Sequence, residues 1–349
     1  MMKSFLKEVG RGKRGARDLT YDESLRVAEL IFNGTATPVQ MGAFFIAERI
    51  KMASTDEMIA FIDVCRSQSL IHPIPGSLDC AGPYDGRRNS FLATFPTAFV
   101  LCASGIPVTL HSSHTLPPKN GVTLYDLLNV LEVSTDKLDS DALIKAAEKT
   151  GFLFVPTEEW CPPLARLRNI RSEIGMRTLL NTVEKMLRLS DSTYMTVGIF
   201  HGTVLDKVVE LLRRTGVHKG LVVQGMEGSE DISVERITRA YWVSEEQKEW
   251  FVIDPELLEM QVEYPDIKWT AKHQAEMTLS VLQGKGDLPH YNTVLLNAGV
   301  RIWLCGKAKS IEQGIYQAKY IIDNGQALEQ YLMWKDIVEN TPHPLSSQS

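Results

Sequence analysis

The stretch LDCAGPYDGRRNSFLATFPTAFVLCASGIPVTLHSSHTLPPKNG, residues 78–121, decides the fold. It reads as a short strand ending at Gly82, a tight polar turn, an apolar helix closing at Gly105 and a second strand, PVTLH. Two strands joined by a crossover of this length run parallel, and open α/β sheets bind ligands in the crevice beyond the carboxyl ends of such strands. The segments 82–88 and 111–121 are therefore the first candidate site. The Pro-Tyr-Asp-Gly turn offers polar groups, a left-handed position at Gly86 and two adjacent arginines, which suits an anion. The candidate ligand-binding residues are Gly82, Tyr84, Asp85, Arg87, Arg88, His111, Lys119, Asn120 and Gly121. A histidine hydrogen-bonded within the turn is an equal reading of His111.

Downstream, short apolar runs alternate with helices. Strands are expected over 78–82, 107–111, 152–156, 194–200, 220–225 and 236–243, with helices near 92–104, 123–132, 140–149 and 203–215. This pattern predicts an α/β domain with a mostly parallel sheet. Upstream, three capping boxes follow one another, Thr20 with Glu23, Thr37 with Gln40, and Ser54 with Glu57, each before an apolar pattern of helical period. With no alternating run before Leu78, the N-terminal part is expected to be a small all-helical subdomain. Residues 160–190 are proline-broken and helical, and are expected to rejoin it. The helical subdomain is thus 1–76 plus about 160–190, and the α/β domain 77–159 plus about 191–340. Three helices are expected over 270–283, 288–305 and 309–336, punctuated by Gly284, Gly306 and Gly325, with a flexible tail at 341–349.

A chain of 349 residues with 44% hydrophobic content can bury a large core and exceeds the usual size of one compact unit. No run approaches the roughly 20 apolar residues that cross a bilayer, and the first residues lack the apolar segment of a secretory signal, so a cytoplasmic protein without a membrane partner is expected. The five cysteines lack CxxC spacing and read as buried thiols. A net charge of −6 opposes a wholly basic nucleic-acid binder. Two stretches are nevertheless basic: Lys3, Lys7, Arg11, Lys13, Arg14 and Arg17, then Arg166, Arg168, Arg171, Arg177, Lys185 and Arg188. On one helical subdomain they could form a stripe for a phosphate backbone, although solvated helix faces are the ordinary outcome. Tyr84, His114 and Trp160 could stack on bases or simply pack.

The segments TPVQMGAFFIAERIK (37–51), TAFVLCASGIPVTLH (97–111), IGMRTLLN (174–181), VVQGMEGSEDIS (222–233) and LLNAGVRIWLCGKAKSIEQGIYQAKYIIDNGQALEQ (295–330) together resemble the anthranilate phosphoribosyltransferases of glycosyltransferase family 3, related to the class II nucleoside phosphorylases. The resemblance implies a helical subdomain, an α/β domain, a cleft between them and a homodimer through the helical parts. It also implies a Mg2+ site at Glu230 and Asp231, where the family pair is reversed, and an acceptor contact at Arg171, with Asn181 kept. The family GTGGD loop is matched by Gly82-Pro83-Tyr84-Asp85-Gly86. The NxST motif is matched by Leu92-Ala93-Thr94-Phe95, and KHGN by Leu110-His111-Ser112-Ser113. These departures are similar to those of a divergent branch, the TrpD-like paralogues, with Gly10-Arg11-Gly12-Lys13 and Ala16-Arg17-Asp18-Leu19 near its start. Members of that branch are associated with nucleic acid.

Two readings follow. The leading one is binding of nucleic acid or another phosphate-rich ligand through Lys3, Lys7, Arg11, Lys13, Arg14, Arg17, Arg166, Arg168, Arg177 and the cleft. The alternative is a magnesium-dependent pentosyl or phosphoribosyl transferase with an altered donor site. Anthranilate transfer itself is not expected, because Pro83, Leu92 and Leu110 replace donor-binding groups.

Overall fold

A computed structural model describes residues 1–12, 14–133 and 138–341. Four helices open the chain: Met2–Val9, Tyr21–Phe32, Pro38–Lys51 and Thr55–Ser67. All three expected capping boxes form: Thr20, Thr37 and Ser54 each accept from the backbone N–H three residues on, and the side chains of Glu23, Gln40 and Glu57 reach back. The apolar faces of these helices meet in a knot of Phe32, Phe44, Phe45 and Phe61, with Phe32 and Phe61 ring centroids 5.6 Å apart.

The sheet has seven strands: β1 (Leu78–Ala81), β2 (Val108–Ser112), β3 (Phe152–Pro156), β4 (Tyr194–Gly198), β5 (Lys219–Val223), β6 (Thr238–Ser244) and β7 (Lys248–Ile253). Their order is β3-β2-β1-β4-β5-β6-β7. The pairs among β1 to β5 are parallel, whereas β6 and β7 run antiparallel at one edge. Strand β7 was not expected. Its outward residues are charged or exposed, as edge strands are, so KEWFVI lacks a clean apolar alternation. The expected helix over 309–336 is two, Ile311–Asp323 and Gln326–Asn340, because Gly325 adopts a left-handed φ of 74° between them.

The segment around 160–190 holds no strand. Its short helices Pro162–Arg166, Arg168–Ile174 and Leu180–Val183 pack on the N-terminal helices. Arg166 donates to the Phe32 carbonyl at 2.6 Å, and Arg49 donates to the Arg177 carbonyl at 2.6 Å. All five cysteines are buried and free. No helix among the described residues is long and apolar enough to cross a membrane. The expected tail, Thr341 apart, lies outside the described residues, as does Lys13.

Candidate functional site

Strands β2 and β3 lie on one side of β1, and β4 and β5 on the other, so the connection order reverses between β1 and β4. Parallel sheets bind ligands at such a switch point. A cavity of about 330 Å3 opens there, between the sheet and the helices Pro38–Lys51 and Leu180–Val183. Its lining includes Pro83, Tyr84 and Asp85 beyond β1, Val197 to His201 at the end of β4, and Lys185 and Lys207. The sequence pointed to β1 and β2. The crevice is on the other side of β1.

Around this cavity three cations have no carboxylate partner among the described residues. Arg49 binds a backbone carbonyl. Lys207 reaches the Met52 and Ala53 carbonyls. Lys185 has only a long hydrogen bond to the Gly198 carbonyl, at 3.4 Å. Burial lowers the Lys185 ammonium to about 8, against the pull of Glu230, Asp85 and Glu184 at longer range. Glu48, also on the wall, is raised to about 8, first by burial and then by Glu57. The Lys51 ammonium lies 3.2 Å from Glu48 but 2.6 Å from both Glu57 and Asp18, so Glu48 is the carboxyl that keeps its proton. At neutral pH Glu48 adds no negative charge to the wall, and the other carboxyl groups there, Asp85, Glu184 and Glu227, are engaged by Arg177, Arg171 and the 88–90 segment.

The turn after β1 is fixed from two directions. Gly86, at φ 75°, lies so close to Gly121 that a Cβ would come within 2.4 Å of the Gly121 backbone. Arg87 and Val122 exchange backbone hydrogen bonds at 2.8 Å, and Gly121 donates to the Asp85 carbonyl at 2.9 Å. The two segments singled out from sequence, 82–88 and 111–121, therefore do meet. The Asp85 carboxylate binds Arg177 at 2.7 Å and Lys119 at 3.2 Å. Asn120 sits in the same loop with φ 48°. Tyr84 is buried, and its hydroxyl lies 2.6 Å from His111 Nδ1 and 2.7 Å from Thr157 Oγ1. His111 Nε2 lies 3.0 Å from Asp79 Oδ1. This chain is satisfied by an imidazole that donates from Nε2 to Asp79 and accepts from Tyr84 at Nδ1. His111 thus ties the turn to the sheet.

Comparison with known proteins matches residues 3–69 to the helical bundle domain of a glycosyl transferase family and residues 81–328 to the α/β domain of the same family. The chain belongs to this family. It is 30% identical over 318 residues to the bifunctional protein TrpGD of Thermotoga maritima, covering 89% of this chain and 53%, about half, of that protein. It is 27% identical over 315 residues to the anthranilate phosphoribosyltransferase of Desulfitobacterium hafniense, covering 89% of this chain and 93% of the relative. In fold it is similar to the anthranilate phosphoribosyltransferase of Thermus thermophilus (TM-score 0.82, 22% identity, 96% of this chain and 99% of that one). It is likewise similar to the Saccharomyces cerevisiae enzyme solved with PRPP and Mg (TM-score 0.82, 17% identity, 97% and 98% covered).

Family membership makes the acidic pair the natural place to test a metal. Glu230 and Asp231 are both fully buried. Asp231 accepts from Arg87 at 2.8 Å, Arg301 at 3.0 Å and the Thr94 amide at 3.1 Å. The Glu230 carboxylate has no hydrogen-bond partner, with the Arg87 guanidinium 3.7 Å away. Magnesium needs several open oxygen ligands in octahedral array. Here one carboxylate is taken by two guanidiniums, and no group of three acidic, histidine or cysteine side chains fit for a metal exists among the described residues. One open carboxylate, Glu230, is too few to hold magnesium without further oxygens from a bound ligand. The expectation of a free Arg87 gripping phosphate is corrected too, because Arg87 is the buried counterion of Asp231.

Other family expectations shift in the same way. Arg171 is buried behind the cavity wall, paired at 2.6 Å with Glu184, which lines the cavity, and is not itself a lining residue. Trp160 is buried, and the His114 ring packs on Tyr125 at 4.7 Å. In the expected basic stripe, Arg11 binds Glu8, and Arg17 binds Glu8 and Glu23. Arg166 holds the Phe32 carbonyl, Arg168 binds Glu158, and Arg177 binds Asp85. Lys3, Lys7 and Arg14 remain exposed. Most of the guanidiniums assigned to nucleic acid are engaged by the chain itself. Lys207, Glu48 and Arg301 were missed as members of the site and its supports, and Lys185 was named only as part of a basic stretch, not as a residue of the cavity. The spacing of TVEKMLRL reads as an ordinary helix face, and only the packing of 180–190 on the sheet encloses Lys185.

Proposed function

We propose that the protein is a glycosyl transferase of pentosyl or phosphoribosyl type, acting on a phosphorylated small molecule in the cavity between β1 and β4. The single observation that supports this best is a cavity at the switch point edged by an ammonium, Lys185, that no carboxylate neutralises. A donor of this class carries a sugar and a charged leaving group. In such a reaction the bond from the anomeric carbon to the leaving oxygen breaks as positive charge develops on the ribosyl ring, and the nucleophile closes on that carbon. Catalysis then rests on positioning and on fixed charges that meet the departing oxyanion. Lys185, with Arg49 and Lys207 nearby, supplies that charge, and no step is assigned to a metal. The altered donor site follows from Pro83, which has no N–H to offer. With this reading go the domain boundaries expected above and a homodimer through the helical part. Polyanion binding loses its basis in the pairing of Arg17, Arg166, Arg168 and Arg177.

Calorimetric titration with phosphoribosyl pyrophosphate tests the proposal. Binding is expected, with Lys185→Met weakening it about tenfold or more. No donor binding, together with salt-sensitive binding of unrelated oligonucleotides, would restore the nucleic-acid reading.

A further inference from the structure

The backbone beyond the 82–88 turn already holds an anion, and that anion belongs to the chain. The Glu227 carboxylate accepts from the Asn89 amide at 2.8 Å, from the Arg88 amide at 3.1 Å and from the Ser90 hydroxyl at 2.7 Å. The Lys119 ammonium lies 3.8 Å from it. Two successive amides, a hydroxyl and an ammonium converging on one carboxylate have the donor chemistry of a phosphate cradle. Glu227 reaches them from the apex of a tight loop. Its own backbone is left-handed at φ 54°, a region costly for a residue with a side chain, and Gly225 and Gly228 flank it. Its side chain is 15% exposed and lines the same cavity as Lys185. The carboxylate therefore sits at a cavity wall, held only by groups that would serve an incoming anion equally well.

We propose that the amides of Arg88 and Asn89 and the Ser90 hydroxyl form a phosphoryl-binding site, which the Glu227 carboxylate occupies in the free protein and yields to a phosphoryl group of the ligand. The site deepens and rests on the transferase reading, since the donor carries such groups, but its test does not depend on transfer. Exchange conserves the hydrogen bonds: each donor leaves a carboxylate oxygen for a phosphoryl oxygen. Glu227 swings to solvent about the two glycines, which relieves its left-handed backbone.

Inorganic pyrophosphate is the probe. Titrated at millimolar concentration into the isotope-labelled full chain, it is expected to shift the amide resonances of Arg88 and Asn89. In Glu227→Gln, pyrophosphate binding is expected to tighten about tenfold or more, because the competing charge is gone. Adding Ser90→Ala to that variant is expected to remove the gain. Unmoved Arg88 and Asn89 resonances in the wild-type chain would overturn the proposal. So would a Glu227→Gln chain that binds no tighter, or a gain that survives Ser90→Ala. Should Glu227→Gln fail to fold, the wild-type resonances decide. Pyrophosphate binding without phosphoribosyl transfer would leave this site standing and remove the transferase reading.

Discussion

Lys185 is the residue on which the electrostatics turn. Its ammonium is held down to about 8, chiefly by burial, so the positive charge is present below that pH and is lost as pH rises through it. Donor affinity should therefore be level between pH 6 and 7 and fall from about pH 8 upward, while Lys185→Arg, whose guanidinium stays charged, should flatten the profile. Titration calorimetry across this range checks both. Glu48 carries the opposite sign. Its folded value, about 8, lies above the ordinary 4.5, so the stability tied to it is intact below 4.5 and is lost as pH rises through about 8. Glu48→Gln, neutral throughout, should be more stable than wild type at pH 8, by on the order of 1–3 kcal/mol in urea unfolding, with no gain at pH 4. Lys185 was legible only as one member of a basic stretch, and Glu48 not at all. A lysine in TVEKMLRL and a glutamate in FFIAERIK sit at helical positions that solvent normally claims, and their burial comes from contacts distant in sequence. Tyr84, Asp85 and Gly86 were legible, because a turn between a strand and an apolar helix announces itself locally.

Among the elements, the turn 82–90 and the acidic loop after β5 act as one. Arg87 from the first and Arg301 from the helix Leu288–Leu304 lock Asp231 from the second, in a cluster with no exposure to solvent. Such an arrangement leaves the Glu230 carboxylate as the one open ligand of the pair, too few to hold a hard cation alone. Millimolar magnesium should leave the melting temperature of the wild-type chain unchanged, as differential scanning fluorimetry would record. A saturable upward shift that Glu230→Gln abolishes would mean that the cluster opens for the metal. The sequence showed the acidic pair but not its pairing with Arg87 and Arg301, since both meet Asp231 only through tertiary packing. The same division separates strands found from strands missed. The parallel strands β1 to β5 are buried on both faces along nearly their whole length and read clearly, whereas β7, exposed at an edge, does not.

Across the whole molecule, the fold places a helical layer against the open end of a sheet whose strand order reverses between β1 and β4. The ligand cavity is the gap at that reversal, and both layers contribute its charge: Arg49 and Glu48 from the helices, Lys185 from the segment packed on them, and Lys207 from beyond β4. A sequence pattern can announce a parallel sheet, but the reversal depends on which side of β1 the later strands join, and no local signal encodes that. The most direct measurement of the central claim is release of pyrophosphate from phosphoribosyl pyrophosphate, with a panel of aromatic amine and nitrogen-heterocycle acceptors and no added metal, comparing wild type with Lys185→Met. The account predicts acceptor-dependent release by the wild-type chain, reduced about 100-fold in Lys185→Met, the scale of losing one fixed charge that meets the leaving oxyanion. Release that is absent with every acceptor, or equal in the two chains, would contradict it.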